Sequence, residues 1–119
     1  MKTTIGAIDL SYDDHGIGQP VIFLHAFPLN RAMWEGQISA LLDEQRYRLV
    51  APDLRGFGES TLNDDEPSTM ERFADDIADL MDTLGMQQAV LCGLSMGGYI
   101  ASILRTNEAR SSLSTPVLM

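Results

Sequence analysis

The sequence predicts an α/β fold in which helices cover both faces of a mostly parallel, doubly wound sheet. Three short and almost wholly apolar segments, at 21–25, 48–53 and 89–92, have the length and composition of strands that are buried on both faces. Segments with apolar residues at helical spacing follow each of them. Buried strands that alternate with amphipathic helices are typical of βαβ units with right-handed crossovers.

The first element is a predicted hairpin at residues 3–18. Residues 3–12 mix apolar and polar positions, and residues 13–16 form a cluster of types that are common in turns. Pro20 then precedes the apolar run 21–25, which predicts the first buried strand. The strand and the loop after it occupy residues 20–30.

A helix, the second strand and a long loop come next. Asn30 has the side chain of an N-cap residue. The apolar residues that follow it share one helical stripe: Trp34, Ile38, Leu41 and Leu42. Residues 48–53 predict the second strand, and we expect a loop over 55–66.

The second helix carries start and stop signals. Ser68 and Glu71 have the S-x-x-E spacing of a capping box, and Gly85 is expected to end the helix. The apolar stripe between them consists of Phe73, Ile77, Leu80, Met81 and Leu84. The acidic residues of the helix are expected on a solvated face and not in a metal site: Asp75, Asp76, Asp79 and Asp82.

The segment 93–98 (Gly-Leu-Ser-Met-Gly-Gly) lies between the third strand and a third predicted helix, which is the context of a nucleophile elbow. So tight a turn strains the backbone of Ser95, and side chains two residues before or after it would collide with the strand and the helix. We expect the Ser95 hydroxyl to stand clear of the sheet, at a helix N-terminus that favours negative charge. Taken alone, the motif also fits an ordinary glycine-rich turn.

A His-Ala-Phe-Pro motif that begins at His25 directly follows the first buried strand. An acyl-transfer enzyme needs two backbone N–H donors for its oxyanion, one from the residue after the nucleophile, here Met96, and one from a neighbouring loop. Pro28 has no N–H, so the second donor is Phe27 or Ala26. For the His25 side chain, the sequence leaves open a packing role in the core and a catalytic one.

Residues 25–30, 52–60 and 93–98 together resemble the α/β-hydrolase fold family. Within it they are most similar to oxoadipate enol-lactonases, small carboxylesterases and cofactor-free haloperoxidases, in order and spacing from about residue 3 to residue 105. The resemblance implies a mostly parallel sheet of the α/β-hydrolase type, with Ser95 as nucleophile and the N–H groups of Phe27 and Met96 as the oxyanion hole.

The resemblance also implies supporting roles, and it implies neither a cofactor nor a metal. Residues that fix or shape the loops are His25, Asp53, Arg55, Gly56, Gly58, Gly93, Gly97 and Gly98. Trp34 and Met96 are expected to line the substrate pocket. The family commonly has Gly where Ala26 stands, a change that costs little unless this residue needs a positive φ.

The positions of the two histidines in the sequence do not match those that a catalytic triad of this family requires. The acid and the histidine of the family follow the serine in the chain, whereas His15 and His25 both precede Ser95, and Glu108 is the only acidic residue after it. A serine hydroxyl without a base is a poor nucleophile. We therefore expect the chain by itself to be inactive.

The expected domain is a single, partial α/β-hydrolase unit over residues 1–119, truncated after the nucleophile helix. The last segment, 111–119, ends like the start of a strand, with Pro116 tolerated only near its beginning. It is either the strand immediately after the nucleophile helix or a later one, and the sequence leaves both open.

Composition limits the partners. The 119 residues include 8 Lys+Arg and 17 Asp+Glu, for a net charge of −9, and 45% are hydrophobic, which is too many for a disordered chain. There is no apolar run of about 20 residues to span a bilayer and no basic stripe to bind nucleic acid or anionic membranes. With no recognisable signal peptide and Cys92 as the single cysteine, a cytoplasmic location is expected.

Two hypotheses follow for function. The first is a serine hydrolase that cleaves a small-molecule ester or lactone through a Ser95 acyl-enzyme, with acid and histidine outside this chain. Haloperoxidase, perhydrolase or carbon–carbon bond hydrolase chemistry on the same serine is a variant of it. The second is an inactive fragment or non-catalytic interaction module, whose exposed sheet edge is covered by a second copy or a partner chain.

Overall fold

The computed structural model describes residues 1–63, 65, 68–106 and 117–118. Its strands are β1 (Lys2–Ile5), β2 (Ile8–His15), β3 (Gln19–Leu24), β4 (Tyr47–Pro52), β5 (Val90–Gly93) and β6 (Val117–Leu118). Its helices are a 3-10 turn (Arg31–Trp34), α1 (Glu35–Leu42), α2 (Met70–Thr83) and α3 (Met96–Thr106). The described helices do not include one that combines the length and the hydropathy of a membrane crossing.

The strands form one sheet in the order β1-β2-β4-β3-β5-β6. β4, β3, β5 and β6 are parallel, while β1 and β2 add to the β4 edge in antiparallel fashion. In the central register Leu24 at the end of β3 lies opposite Gly93 at the end of β5. The predicted α/β fold with a mostly parallel sheet is confirmed, and the loops after β3, β4 and β5 open at the same edge of the sheet.

The hairpin exists, but its turn was predicted at the wrong place. β1 and β2 are joined at Gly6 and Ala7, where Gly6 has φ +58. Residues 13–15 do not turn, because they continue β2 and pair with β4 as far as His15 opposite Leu49. A ladder with a neighbouring strand, which lies far away in sequence, overrides the local turn preference of these residues.

Alternate residues of the central strands face two separate apolar cores. Ile22 and Leu24 of β3 pack with the residues of α2 and α3, whereas Val21 and Phe23 pack with the residues of α1. Period-two alternation on a strand that is covered on both faces produces this doubly wound arrangement.

The helix starts differ in how well they could be predicted. Asn30 is the N-cap of the 3-10 turn, as predicted, and its Oδ1 accepts a hydrogen bond from the Ala32 amide at 2.9 Å. For α2 the prediction of Ser68 was wrong by one residue: Thr69 has extended backbone and its hydroxyl accepts from the Arg72 amide at 3.1 Å. Adjacent hydroxyl residues carry the same capping chemistry, and the backbone conformation selects between them.

The last described strand, β6, lies directly beside β5 and parallel to it, with Leu91 opposite Val117. A strand in that position is what the first of the two alternatives for the final segment expects. Glu108 and residues 111–116 lie outside the described residues. A single domain over 1–119 stays a prediction.

Candidate active site

Ser95 occupies the turn between β5 and α3. It has φ +56, a left-handed backbone conformation that costs a non-glycine residue energy and that tertiary packing must impose. The residue is exposed, and the amides of the first turn of α3 begin directly after it. The hydroxyl therefore stands at the edge of the sheet where a helix N-terminus favours negative charge.

Two glycines allow this turn to close. A Cβ atom on Gly93 would lie 2.5 Å from the Gly98 nitrogen, and one on Gly97 would lie 2.6 Å from the carbonyl carbon of Leu24 and 2.9 Å from the oxygen of His25. All three distances are shorter than the Cβ contacts of real structures, and the obstacles are backbone atoms that cannot move aside. The spacing of the motif is thus a packing requirement between β5, α3 and β3.

The candidate oxyanion donors lie at the ends of neighbouring strands. Phe27 follows β3 and Met96 opens α3, and neither amide donates a hydrogen bond to another residue within the described part of the chain. Ala26, the alternative donor, points its N–H to the Met33 sulfur at 3.3 Å. The structure therefore leaves Phe27 as the available amide of this loop, next to the cis bond to Pro28.

His25 is fully buried and uses both ring nitrogens in the scaffold. Its Nε2 accepts from the Leu54 amide at 2.9 Å, which places the ring proton on Nδ1, 3.0 Å from the Ala26 carbonyl oxygen. Burial lowers the pKa of His25 below its ordinary value of 6.5, while the bond to Ala26 and the charge of Asp53 oppose this in part. A neutral imidazole thus joins the loop after β3 to the loop after β4.

Asp53 organises the loop after β4. Its buried carboxylate accepts hydrogen bonds from the Arg31 amide at 2.8 Å and the Glu59 amide at 2.9 Å. Gly58, with φ +54, runs so close that a Cβ would overlap that carboxylate. Ser60 completes the loop, since its hydroxyl donates to the Asp53 carbonyl at 2.6 Å.

Sequence reasoning missed Arg31. Its guanidinium contacts three carboxylates, those of Asp13 (3.2 Å), Asp53 and Glu59 (2.6 Å), and donates to the Ser11 hydroxyl at 2.9 Å. These partners come from β2 and from the loop after β4. No local pattern in the sequence marks the residue, because its partners are distant in the chain.

Arg55 pairs with Asp76, and this corrects the prediction that Asp76 lies on a solvated face. Both side chains are about 2–3% exposed, and two parallel hydrogen bonds of 2.8 and 2.9 Å join guanidinium to carboxylate. Asp76 stands three residues after Phe73 and one before Ile77, within the buried stripe of α2. That position in the stripe was the signal for burial.

An apolar hollow of about 320 Å³, called here the aromatic pocket, adjoins the candidate oxyanion amides. Its apolar lining consists of Phe27, Phe57, Leu62, Met70, Phe73 and Met96. Its remaining lining consists of Arg55, Gly56 and Ser68. Phe57 is central to the wall, with ring centroids 5.4 Å from His25 and 5.7 Å from Phe27. The loop that Asp53 and Arg55 fix therefore shapes this pocket.

Ser95 lies in a second, more open hollow of about 510 Å³, called here the serine recess. Met70, Met96 and Tyr99 line it with the serine. The two methionines also line the aromatic pocket, so the hollows adjoin along them.

The structure brings Met96 to this site but not Trp34. The Trp34 ring is buried on the α1 face of the sheet, against Phe23 at a centroid distance of 5.2 Å. It lines neither hollow. In the described part of the chain, no three or more His, Cys, Asp or Glu side chains lie together as metal ligands would.

Comparison with known proteins gives one family. The model of the alpha/beta hydrolase fold matches residues 19–106. A putative non-heme chloroperoxidase of Synechocystis is 44% identical over 76% of this chain and 32% of its own length. The 3-oxoadipate enol-lactonase 1 of Acinetobacter baylyi is 33% identical over 82% of this chain and 35% of its own length. The chain spans about a third of the length of these curated relatives.

Solved structures agree on the fold. A thermophilic esterase from Thermogutta terrifontis is 42% identical, with a TM-score of 0.83 over 98% of this chain and 44% of the esterase. An epoxide hydrolase from Vigna radiata is 30% identical, with a TM-score of 0.87 over 100% of this chain and 39% of that protein. The expected similarity to esterases, enol-lactonases and haloperoxidases is confirmed. The chain is also similar to epoxide hydrolases, which were not among the predicted relatives.

Proposed function

Because this chain belongs to the alpha/beta hydrolase family, we propose that Ser95 is the nucleophile of an enzyme that hydrolyses small-molecule esters or lactones. The observation that carries the proposal is the strained φ of +56 at Ser95, between two glycines that admit no side chain. Strain of this kind persists only where surrounding packing maintains it, and it is concentrated at functional sites.

In the proposed reaction the Ser95 oxygen adds to the ester carbonyl carbon while a base takes the hydroxyl proton. The carbonyl oxygen becomes an oxyanion that accepts hydrogen bonds from the Phe27 and Met96 amides, which are open to such a ligand. The alcohol leaves with the proton. Water then adds to the acyl-enzyme, and the acid is released as the Ser95 hydroxyl re-forms.

We assign the base to a residue outside this chain. Both nitrogens of His25 are already hydrogen-bonded in the loops. His15 pairs with Leu49, which in turn lies beside Val21, three residues before the end of β3. At about 3.3 Å per residue, His15 is about 10 Å from the edge where Ser95 lies. It is also three strands to the side of β5, the strand that Ser95 follows.

A serine favours acyl transfer over epoxide opening. Attack of a hydroxyl on an epoxide carbon would leave an ether, which has no carbonyl for water to attack. Attack on an ester leaves an acyl-enzyme, which water hydrolyses by the same addition. Of the activities named for the relatives, ester and lactone cleavage therefore fit Ser95 best.

The test is a chimera in which this chain replaces the matching part of the Thermogutta esterase, which it covers at 42% identity. A fluorophosphonate probe should label the chimera and lose the label in Ser95→Ala. The matched control is Ser102→Ala, which removes a hydroxyl on the same helix that donates to the Gly98 carbonyl at 3.1 Å. A folded chimera that is labelled equally in Ser95→Ala would refute the proposal and favour a non-catalytic interaction module.

The chloroperoxidase relative favours a second reaction of the same acyl-enzyme. If hydrogen peroxide replaces water in the second step, the product is a peracid. Peracid formed from an acetate ester and peroxide, and lost in Ser95→Ala, would support it. A cytoplasmic location and self-association remain predictions.

A further inference from the structure

The aromatic pocket differs from the rest of the molecule in its charge. The chain carries nine net negative charges, yet six of the pocket's nine lining residues have apolar side chains, and none of the nine is acidic. The cationic side chain in the lining is Arg55, whose guanidinium faces the Asp76 carboxylate through two hydrogen bonds. A buried, bidentate pair has little charge left to offer a ligand.

The aromatic pocket also shares lining residues with the serine recess. Met70 and Met96 line both the aromatic pocket and the serine recess, and both are only partly buried. A substrate carbonyl at Ser95 could extend its chain past the two thioethers to the rings of Phe27 and Phe57. Methionine side chains are unbranched and adaptable, so they can accept chains of different shape.

We propose that the aromatic pocket binds the uncharged, apolar acyl group of the substrate, with Met70 and Met96 as its contacts nearest the serine, and that it rejects acyl groups ending in a carboxylate. The inference rests on the proposed function, since it names the substrate class of the Ser95 site. A carboxylate in this pocket would lose its water, while the guanidinium of Arg55 in the lining is already paired with the Asp76 carboxylate. The net negative charge of the chain would repel it further.

Binding to the 119-residue chain tests the proposal without any catalysis. The chain is labelled with [methyl-13C]methionine, and the seven signals are assigned with single Met→Leu variants. Methyl hexanoate and monomethyl adipate are the probes, because they share chain length and ester group while the second ends in a carboxylate. We expect methyl hexanoate to shift the Met70 and Met96 signals, with a Kd at least about tenfold lower than that of monomethyl adipate.

An added positive charge tests the charge preference of the pocket directly. Leu62→Arg places a cation at the pocket, at a residue that is 53% exposed, and should strengthen binding of monomethyl adipate several-fold. Ile17→Arg adds the same charge at a residue that is 89% exposed and outside the pocket lining, and should leave the adipate Kd unchanged.

Three results would overturn the inference: equal Kd values for the two esters, tighter binding of the adipate, or no binding of either ester at Met70 and Met96. None of them depends on Ser95 chemistry. A chimera whose Ser95 is labelled, together with a chain that shows no preference in binding, would leave the proposed function intact and remove the substrate class alone.

Discussion

Two loops lie at the same edge of the sheet as Ser95, and different features of the sequence fix their conformations. The turn after β5 is shaped by missing side chains, since Gly93 and Gly97 let backbone approach backbone. The loop after β4 is shaped by charged side chains, which bind it to β2 and α2. The glycines of the turn lie within six consecutive residues of the sequence. The charged contacts of the loop instead join residues up to 28 positions apart, such as Arg31 and Glu59.

The two regions should therefore lose stability in response to different kinds of substitution. Any added atom disrupts the glycine turn, because its obstacles are backbone atoms. The charged loop is instead sensitive to the loss of one partner, because the remaining buried charge is left without compensation. Substitutions in each region can therefore be matched with controls that change the same atoms elsewhere.

Gly97→Ala should have the largest effect. Its methyl group would lie 2.6 Å from the Leu24 carbonyl carbon, so we expect the free energy of unfolding to fall by about 4 kcal/mol. Gly36→Ala in α1 is the control, because nothing lies within 4 Å of its added Cβ. Urea denaturation of the control should show a gain of about 0.5–1 kcal/mol from helix propensity. Equal effects of both substitutions would contradict the packing account of the turn.

Asp76→Asn comes next. It leaves the buried Arg55 guanidinium opposite a neutral amide, and we expect a loss of about 3 kcal/mol in urea denaturation. Asp82→Asn, on an exposed part of the same helix, should change stability by less than about 0.5 kcal/mol. The double variant Arg55→Met with Asp76→Leu should recover part of the loss, because it removes both charges. Equal stabilities of the two Asn variants would show that the pair does not hold the loop.

Arg31→Ala should cost less, about 2 kcal/mol, because two of its three carboxylate partners, Asp13 and Glu59, are 36% and 64% exposed and remain hydrated. Arg46→Ala is the matched control. Its guanidinium is 67% exposed beside Glu44, so its loss should change the unfolding free energy by at most about 0.5 kcal/mol. High salt should narrow the difference between wild type and Arg46→Ala more than that between wild type and Arg31→Ala. A larger effect of salt on the Arg31→Ala difference would show that the Arg31 cluster is exposed to solvent.

The smallest effect concerns pH. Because the pKa of folded His25 lies below 6.5, the unfolded chain binds more protons as pH falls under that value. This contribution to stability is complete above pH 6.5 and decreases below it, by at most about 1.4 kcal/mol per pH unit, until the folded ring also protonates. NMR titration of the two imidazoles should show that the His25 ring protonates only below pH 6.5. A pKa for His25 at or above 6.5 would contradict its role as a neutral link between loops.

The features that could be predicted from the sequence are mainly those that depend on residues close to one another in the chain. The apolar stripe of α2 and the Asn30 cap depend on neighbours within a few residues, so the sequence could predict them. The elbow at 93–98 could be recognised from the spacing of its glycines, although the backbone that Gly97 meets belongs to Leu24 and His25, which are distant in sequence. The prediction of a turn at 13–16 was wrong because residues 13–15 continue β2 and pair with β4. The helix cap was displaced from Ser68 to Thr69 because only the backbone conformation distinguishes two adjacent hydroxyl residues.

The sequence by itself determined the parallel strands, the glycine turn around Ser95 and the absence of any histidine after that serine. Periodicity and spacing are properties of the chain, and they need no partner to be read. Only the tertiary structure decided that His25 is a neutral link, that Asp76 is buried against Arg55, and that Arg31 joins three carboxylates. Those roles arise where segments that are distant in sequence pack together. A charged or polar group that loses its hydration there is stable only if it gains a hydrogen-bonding or ionic partner.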